Sequence, residues 1–350
     1  MKQALLPVLA LLLQLAAACG SVDAGAGPGE GGDGDRADAD PGDHTGDTDA
    51  GPDDPGADAD PGDDPDPPAV LSVNPADGAA GVLPNANIRI VFDRAMDADS
   101  VEAAWSSELL PADAVTFSWN PAGDTLTVNP DAALPVAEGE GLDPDVVDAI
   151  AVAFNIGTGA ADADGNALAA AFQADFTTVR RMTVELTRHV PLSGAQESDG
   201  GAPQTGSDIF YAGDTNTNLG VRFLISFALP DLPAGAELTS ASLSAEQVSA
   251  STNIFGVFGG GLETVRVRFA QLTGAYDAGD LGSMGIFSNS AADGSRSLTV
   301  TSAVLDDLAD GVTYSQFRFE FPLATDSDGL FDSLQFTRDS FELAMTYLVD

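Results

Sequence analysis

Ile88-Arg89-Ile90-Val91-Phe92 places large apolar side chains at every second position. A period of two fits a strand with one buried face, because successive side chains of a strand point to opposite sides. The alternation recurs on both sides of this stretch. Val115, Phe117 and Trp119 alternate with Thr116 and Ser118, and Phe317, Phe319 and Phe321 alternate with Arg318 and Glu320. Pro, Gly and Asn-Pro or Asp-Gly pairs separate these runs, as turns separate strands. Residues 97–107 carry a short helical pattern, and no amphipathic pattern runs longer than two or three turns. The chain reads as all-β.

The strand-rich sequence from residue 69 onward is long enough for two domains, residues 69–178 and residues 179–350. Within the first, Val70-Leu71-Ser72-Val73, the stretches already quoted, Asp124-Thr125-Leu126-Thr127-Val128, Ile150-Ala151-Val152-Ala153-Phe154 and Phe172-Gln173-Ala174-Asp175-Phe176 read as strands. Six or seven strands in about 110 residues has the size and texture of an immunoglobulin-like sandwich. Asn74-Pro75-Ala76-Asp77-Gly78 with Gly81-Val82, followed by Ile90-Val91-Phe92-Asp93-Arg94-Ala95-Met96-Asp97 and Ser100-Val101, resembles the bacterial Ig-like domain of S-layer (SbsA-type) proteins. Asp162-Ala163-Asp164-Gly165-Asn166-Ala167-Leu168 and Phe176-Thr177-Thr178 fit the same pattern. That resemblance implies a structural spacer or interaction module and brings no catalytic residues. It departs at residues 137–148, where an acidic insertion replaces the usual short turn. Asp162-Ala163-Asp164-Gly165-Asn166 itself is read as a turn, because its glycine arrives too early for a calcium loop and no glutamate follows.

The second domain opens on residues 182–188 and continues through Ile209-Phe210-Tyr211, Val221-Arg222-Phe223-Leu224-Ile225-Ser226-Phe227 and Val265-Arg266-Val267-Arg268-Phe269. Phe341-Glu342-Leu343-Ala344-Met345-Thr346-Tyr347 closes it. Long antiparallel strands in this number suggest a jelly-roll sandwich. Residues 222–227, then 232–243, Leu298-Thr299-Val300-Thr301 and Leu343-Ala344-Met345-Thr346-Tyr347 resemble the DNRLRE-type domain, a carbohydrate-binding-module-like jelly roll of secreted bacterial and archaeal proteins. Ser226 stands where that pattern has Asp, and Phe341 where Pro is common. The resemblance implies binding of a surface glycan.

Met1-Lys2-Gln3 is a short positive segment, and residues 4–15 are apolar apart from Pro7 and Gln14. The run is shorter than the roughly 20 residues a spanning helix needs, so it reads as a targeting segment. Ala16-Ala17-Ala18 then precedes Cys19, the chain's sole cysteine. Leu15-Ala16-Ala17-Ala18-Cys19 resembles the lipobox of bacterial lipoproteins, whose cysteine is diacylated before the leader is removed. Residues 1–18 are accordingly expected to be a signal peptide and Cys19 the lipidated membrane anchor; an ordinary signal peptide with a chance cysteine is the alternative. Gly20 and Ser21, in place of Asp, point by the same resemblance to the outer membrane of the cell envelope. Residues 19–68 collapse to Asp, Gly, Ala and Pro, with a near-repeat of Ala37-Asp38-Ala39-Asp40-Pro41-Gly42-Asp43 twenty residues on. Such a composition cannot bury enough apolar area to offset its ordering entropy, so a disordered acidic tether is expected.

The formal net charge is −42, with 13 Lys+Arg, and the sole lysine is Lys2. Nucleic acid is excluded as a partner, because neutralising phosphates takes clustered basic residues. Two histidines, His44 and His189, are too few for a triad or a zinc site, and no carboxylate pair is singled out by spacing. The chain therefore reads as a non-enzyme, with an enzyme or enzyme subunit acting on surface polysaccharide as the rival. Asp326-Ser327-Asp328-Gly329-Leu330-Phe331-Asp332 is the candidate cofactor site: Asp326, Asp328 and Asp332 offer hard oxygen ligands for a structural Ca²⁺, against the alternative of an acidic hairpin turn. Candidate ligand contacts for a glycan or envelope protein are Tyr211 and Tyr276 for stacking, and Arg222, Arg266 and Arg268 for bidentate hydrogen bonds to an acidic polymer. The alternatives are rim packing for the tyrosines and a solvated strand face for the arginines.

Overall fold

Residues 66–201, 208–272 and 279–350 are described by a computed structural model. The signal segment, Cys19, nearly all of the tether and Tyr276 lie outside the described residues. Among the described residues no helix is long and apolar enough to cross a membrane.

The first module contains β1 (Val70–Asn74), β2 (Ala79–Val82), β3 (Ile88–Phe92), β4 (Trp105–Ser106), β5 (Val115–Trp119), β6 (Thr125–Pro130), β7 (Ala137–Glu140), β8 (Ala151–Ile156) and β9 (Phe172–Thr178), with one short helix, α1 (Ala98–Ala104). Two four-stranded sheets, ordered β1-β3-β6-β5 and β2-β9-β8-β4, supply one core. Ile88, Ile90 and Phe92 bury one face of β3 against Leu126, Val128, Val152, Phe154 and Phe176. Each such side chain contributes about 1.5–3 kcal/mol by leaving water. Trp105 stacks on Phe154 and its indole N–H donates to the Leu110 carbonyl oxygen at 2.8 Å, so its polar atom is satisfied inside the core. At the Asp162 turn, Oδ1 accepts the backbone N–H groups of Asp164 and Asn166 while Gly165 adopts a φ of 91°. That is the geometry of a side-chain-stabilised turn.

The second module contains β10 (Arg180–Thr187), β11 (Gly194–Glu197), β12 (Ile209–Asp214), β13 (Gly220–Ala228), β14 (Glu237–Ala250), β15 (Leu262–Arg268), β16 (Gly279–Ser288), β17 (Gly294–Thr299), β18 (Tyr314–Glu320), β19 (Asp332–Thr337) and β20 (Glu342–Val349). Two helices, α2 (Ile254–Val257) and α3 (Thr301–Ala309), lie among them. The strands form one continuous path, β16-β15-β18-β13-β12-β19-β14-β20-β10-β7, with β11 added beside β13 and β17 beside β14. The path folds back on itself as a sandwich. Phe223, Ile225, Phe227, Phe317 and Phe319 from one half share a core with Phe210, Leu334, Phe336, Leu343 and Met345 from the other. Phe341 packs edge-on against Phe223 and Phe319, each at 5.5 Å between centroids, and so bridges the halves.

The last strand on that path belongs to the first module. β7 runs parallel to β10, pairing from Ala137 against Arg180 to Glu140 against Thr183. The first four residues of the 137–148 stretch, expected to be an acidic insertion in the Ig-like pattern, thus continue the neighbouring sheet. Gly139 permits this approach: a Cβ there would fall 2.8 Å from the Met182 sulfur. Arg181 pairs with Glu138 at 2.9 Å, and the Arg180 Nε donates to the Val147 carbonyl oxygen at 2.9 Å. Met182, Tyr347 and Val349 form a separate buried cluster at this junction, with Val147, Val184 and Leu232 packed against it.

Candidate functional site

The hairpin joining β12 to β13 meets residues 321–332, the segment entering β19, at one end of the second module. Asp214 ends β12 and Asp332 begins β19, and the two are direct cross-strand partners. Like charges placed opposite each other on neighbouring strands destabilise the pair. Asp214 is also fully buried. Its Oδ2 accepts the Thr325 hydroxyl at 2.6 Å and the Asp326 backbone N–H at 3.3 Å, whereas its Oδ1 has no hydrogen-bond partner. Burial is the main cause that raises the Asp214 carboxyl above the usual carboxylate range. The Thr325 and Asp326 bonds pull it down, and the charges of Asp326 and Asp332 push it up.

The backbone around Asp214 is held close. A Cβ at Gly213 would stand 2.0 Å from the Asp332 carbonyl oxygen, and one at Gly220 would stand 2.4 Å from the Ala324 carbonyl oxygen. Only glycine allows these approaches. Asn218, at a φ of 60°, accepts the Gly329 N–H on its Oδ1 at 2.8 Å and so fastens the entering segment to the hairpin.

Of the three carboxylates expected from spacing, the structure brings together Asp326 and Asp332 and leaves Asp328 out. The Asp328 Oδ1 accepts the Leu330 N–H at 2.7 Å within its own turn. Asp214 takes the third place: one carboxylate oxygen from each of Asp214, Asp326 and Asp332 lies within 4.8 Å of the others. Sequence spacing misses Asp214, because it is more than a hundred positions away and reaches the cluster through strand pairing. Its position at the end of an apolar strand, before Thr215-Asn216-Thr217-Asn218, was the signal available.

The candidate arginines divide by burial and by sheet face. Arg266 pairs with Phe317 and Arg318 with Leu224 in the sheet register, which puts Arg266 on the core side and Arg222 on the opposite side. Arg266 is buried, and its Nη2 and Nε donate to Asp307 at 2.5 and 3.2 Å while its Nη1 donates to Asp306 at 3.0 Å. Arg268 joins the same Asp307 oxygen at 2.9 Å, and Ser315 donates to the other at 2.7 Å. Asp306 and Asp307 are carried by α3, which packs over this edge of the core. Arg222 is buried and pairs with Glu320 at 3.3 Å; Arg318 bridges Glu320 and Asp280. Arg222 and Arg266 are therefore committed to internal ion pairs, while Arg268 stays exposed at the end of its strand beside Asp307 and Asp310. Tyr211 is half-buried, edge-on to Phe331 at 5.3 Å, and burial, with the Glu197 charge second, raises its phenol. Leu330 and Phe331 are 63% and 49% exposed beside it.

Residues 64–139 match the family described as Bacterial Ig-like domain. No curated protein sequence matches the chain. Among solved structures it is similar to an L,D-transpeptidase from Mycobacterium smegmatis, at 14% identity and a TM-score of 0.23, covering 46% of this chain and 76% of that one. It is also similar to the surface layer protein SbsC, domains 1–6, at 12% identity and a TM-score of 0.22, covering 67% of this chain and 40% of that one. Both likenesses are too loose to bear on fold or activity. The first module carries a bacterial Ig-like domain, whose core is completed by β8 and β9 beyond the matched residues.

Proposed function

We propose that this chain is a cell-envelope lipoprotein that displays an Ig-like spacer and a jelly-roll-like head in a structural or adhesive role. The observation that carries the display role is the shared strand β7. Load applied to the second module passes into the first through backbone hydrogen bonds between β7 and β10, and not through a bare linker. The Ig-like match supports the same reading. The anchor rests on Cys19 after Leu15-Ala16-Ala17-Ala18, and two acyl chains hold a protein firmly where one is marginal. The acidic tether of residues 19–68 sets the head off the bilayer. A glycan or envelope-protein ligand would meet the end that exposes Tyr211, Leu330 and Phe331.

Feeding cells an alkyne-tagged fatty acid and fractionating membranes tests the anchor on the full chain. Wild type should take up the tag and sediment with membranes, and Cys19→Ser should lose both; membrane retention in Cys19→Ser overturns the anchor. A glycan array probed with the full chain tests recognition. Binding that falls in Tyr211→Ala supports a ligand role, flat binding leaves display alone, and turnover of a polymer favours an enzyme instead.

A further inference from the structure

The cluster at the end of β12 leaves one requirement unmet. Asp214 is fully buried with a bare Oδ1, and among the described residues no arginine forms an ion pair with it. A buried carboxylate is costly unless it is paired or bound to a metal. Its cross-strand neighbour is another aspartate, and a third stands beside both. Oδ2 is occupied by Thr325 and Asp326, and Gly213, Gly220 and Asn218 hold the backbone so that these three carboxylates converge.

We propose that Asp214, Asp326 and Asp332 hold one calcium ion, which clasps residues 321–332 onto the β12–β13 hairpin. Calcium takes six to eight oxygens at 2.3–2.6 Å, so oxygens on opposite sides of one ion stand up to about 5 Å apart. The spread of 4.8 Å or less among the three carboxylates fits that shell. Asp326 and Asp332 are half-buried, so water can complete the coordination. Magnesium demands near-ideal octahedral geometry and is usually held by one or two carboxylates, which suits a three-carboxylate loop site less well. Structural zinc sites are built from cysteine and histidine, which the cluster lacks. The ion would neutralise the Asp214–Asp332 repulsion and satisfy the bare Oδ1.

Thermal unfolding of the full chain in EGTA and in millimolar calcium chloride tests the site. The expected result is a rise in Tm of about 5 °C or more with calcium. The rise should vanish in Asp214→Asn, whose amide keeps the shape without the charge, and persist in Asp328→Asn. Every variant retains the acidic tether, so loose binding there cancels in the comparison. Should Asp214→Asn fail to fold, the half-buried Asp326→Asn carries the same test. Equal melting in EGTA and calcium overturns the proposal, as does an undiminished rise in Asp214→Asn or Asp326→Asn. An equal rise with magnesium overturns the choice of metal.

Discussion

The Tyr347 hydroxyl donates to the Gly141 carbonyl oxygen at 2.8 Å, so the final strand of the chain is bonded to the segment just past β7. Tyr347 is fully buried; burial, with the Asp143 charge second, raises its phenol and keeps the proton available for donation. Tyr347→Phe keeps the ring packing at Met182 and Val349 and removes this bond alone. The expected loss is about 1 kcal/mol of stability, read from the urea midpoint. An unchanged midpoint would show that the junction does not depend on it.

Gly139 tests the same junction by crowding. A Cβ there would stand 2.8 and 2.9 Å from the Met182 Sδ and Cε and 3.2 Å from the Val147 Cγ2. Met182 is fully buried, so it has little room to withdraw. Gly139→Val should cost about 1–3 kcal/mol through overpacking. Gly139→Val combined with Met182→Ala should cost less than the sum of the two single changes, a coupling that a double-mutant cycle measures.

The Arg266–Asp307 pair gives a larger effect. Both side chains are buried, and Asp307 accepts from Arg266, Arg268 and Ser315 together. Asp307→Ala leaves the buried Arg266 guanidinium with only the exposed Asp306 carboxylate as partner and should cost about 3 kcal/mol in chemical denaturation. Replacing both by apolar residues of similar volume should cost clearly less than the single change, because no buried charge is then left alone.

Stability near Glu342 should fall with rising pH. Burial, and after it the Glu185 carboxylate, raise the Glu342 carboxyl above the usual carboxylate range. The fold therefore favours the protonated form. Its contribution is fully present below the unfolded carboxyl's pKa and is lost as pH rises through the raised folded value. Glu342→Gln mimics the protonated state. Its urea midpoint should exceed that of wild type at about pH 7 and match it at about pH 4; a constant gap would assign the effect to something other than this proton.

Period-two alternation made the strands around Ile88–Phe92 and Phe317–Phe321 legible, because each buries an apolar face and apolar burial is written locally. What the alternation hid was the second face. Arg222 sits where a ligand contact or solvent was expected and shares its sheet face with Arg318; both are buried because Glu320 and Asp280 reach them from other positions. Arg266 is likewise covered by an acidic pair on α3 some forty residues onward. Two of the three cluster carboxylates were visible in the Asp326–Asp332 loop. Asp214 was not, since the pairing of β12 with β19 is a long-range relation with no local spacing. The acidic stretch at β7 carried no apolar signal at all; its place comes from its neighbour's backbone.

That place has a further consequence. Without β7, β10 would be the end of its path and would present a row of unpaired N–H and C=O groups, a template on which another chain can add a strand. β7 occupies the row and then guards it, being only four residues long and reading Ala137-Glu138-Gly139-Glu140. Short length and charge are the means by which exposed edges resist aggregation. A fragment beginning at Val179 would lose this guard, and should self-associate more than the intact chain at the same concentration.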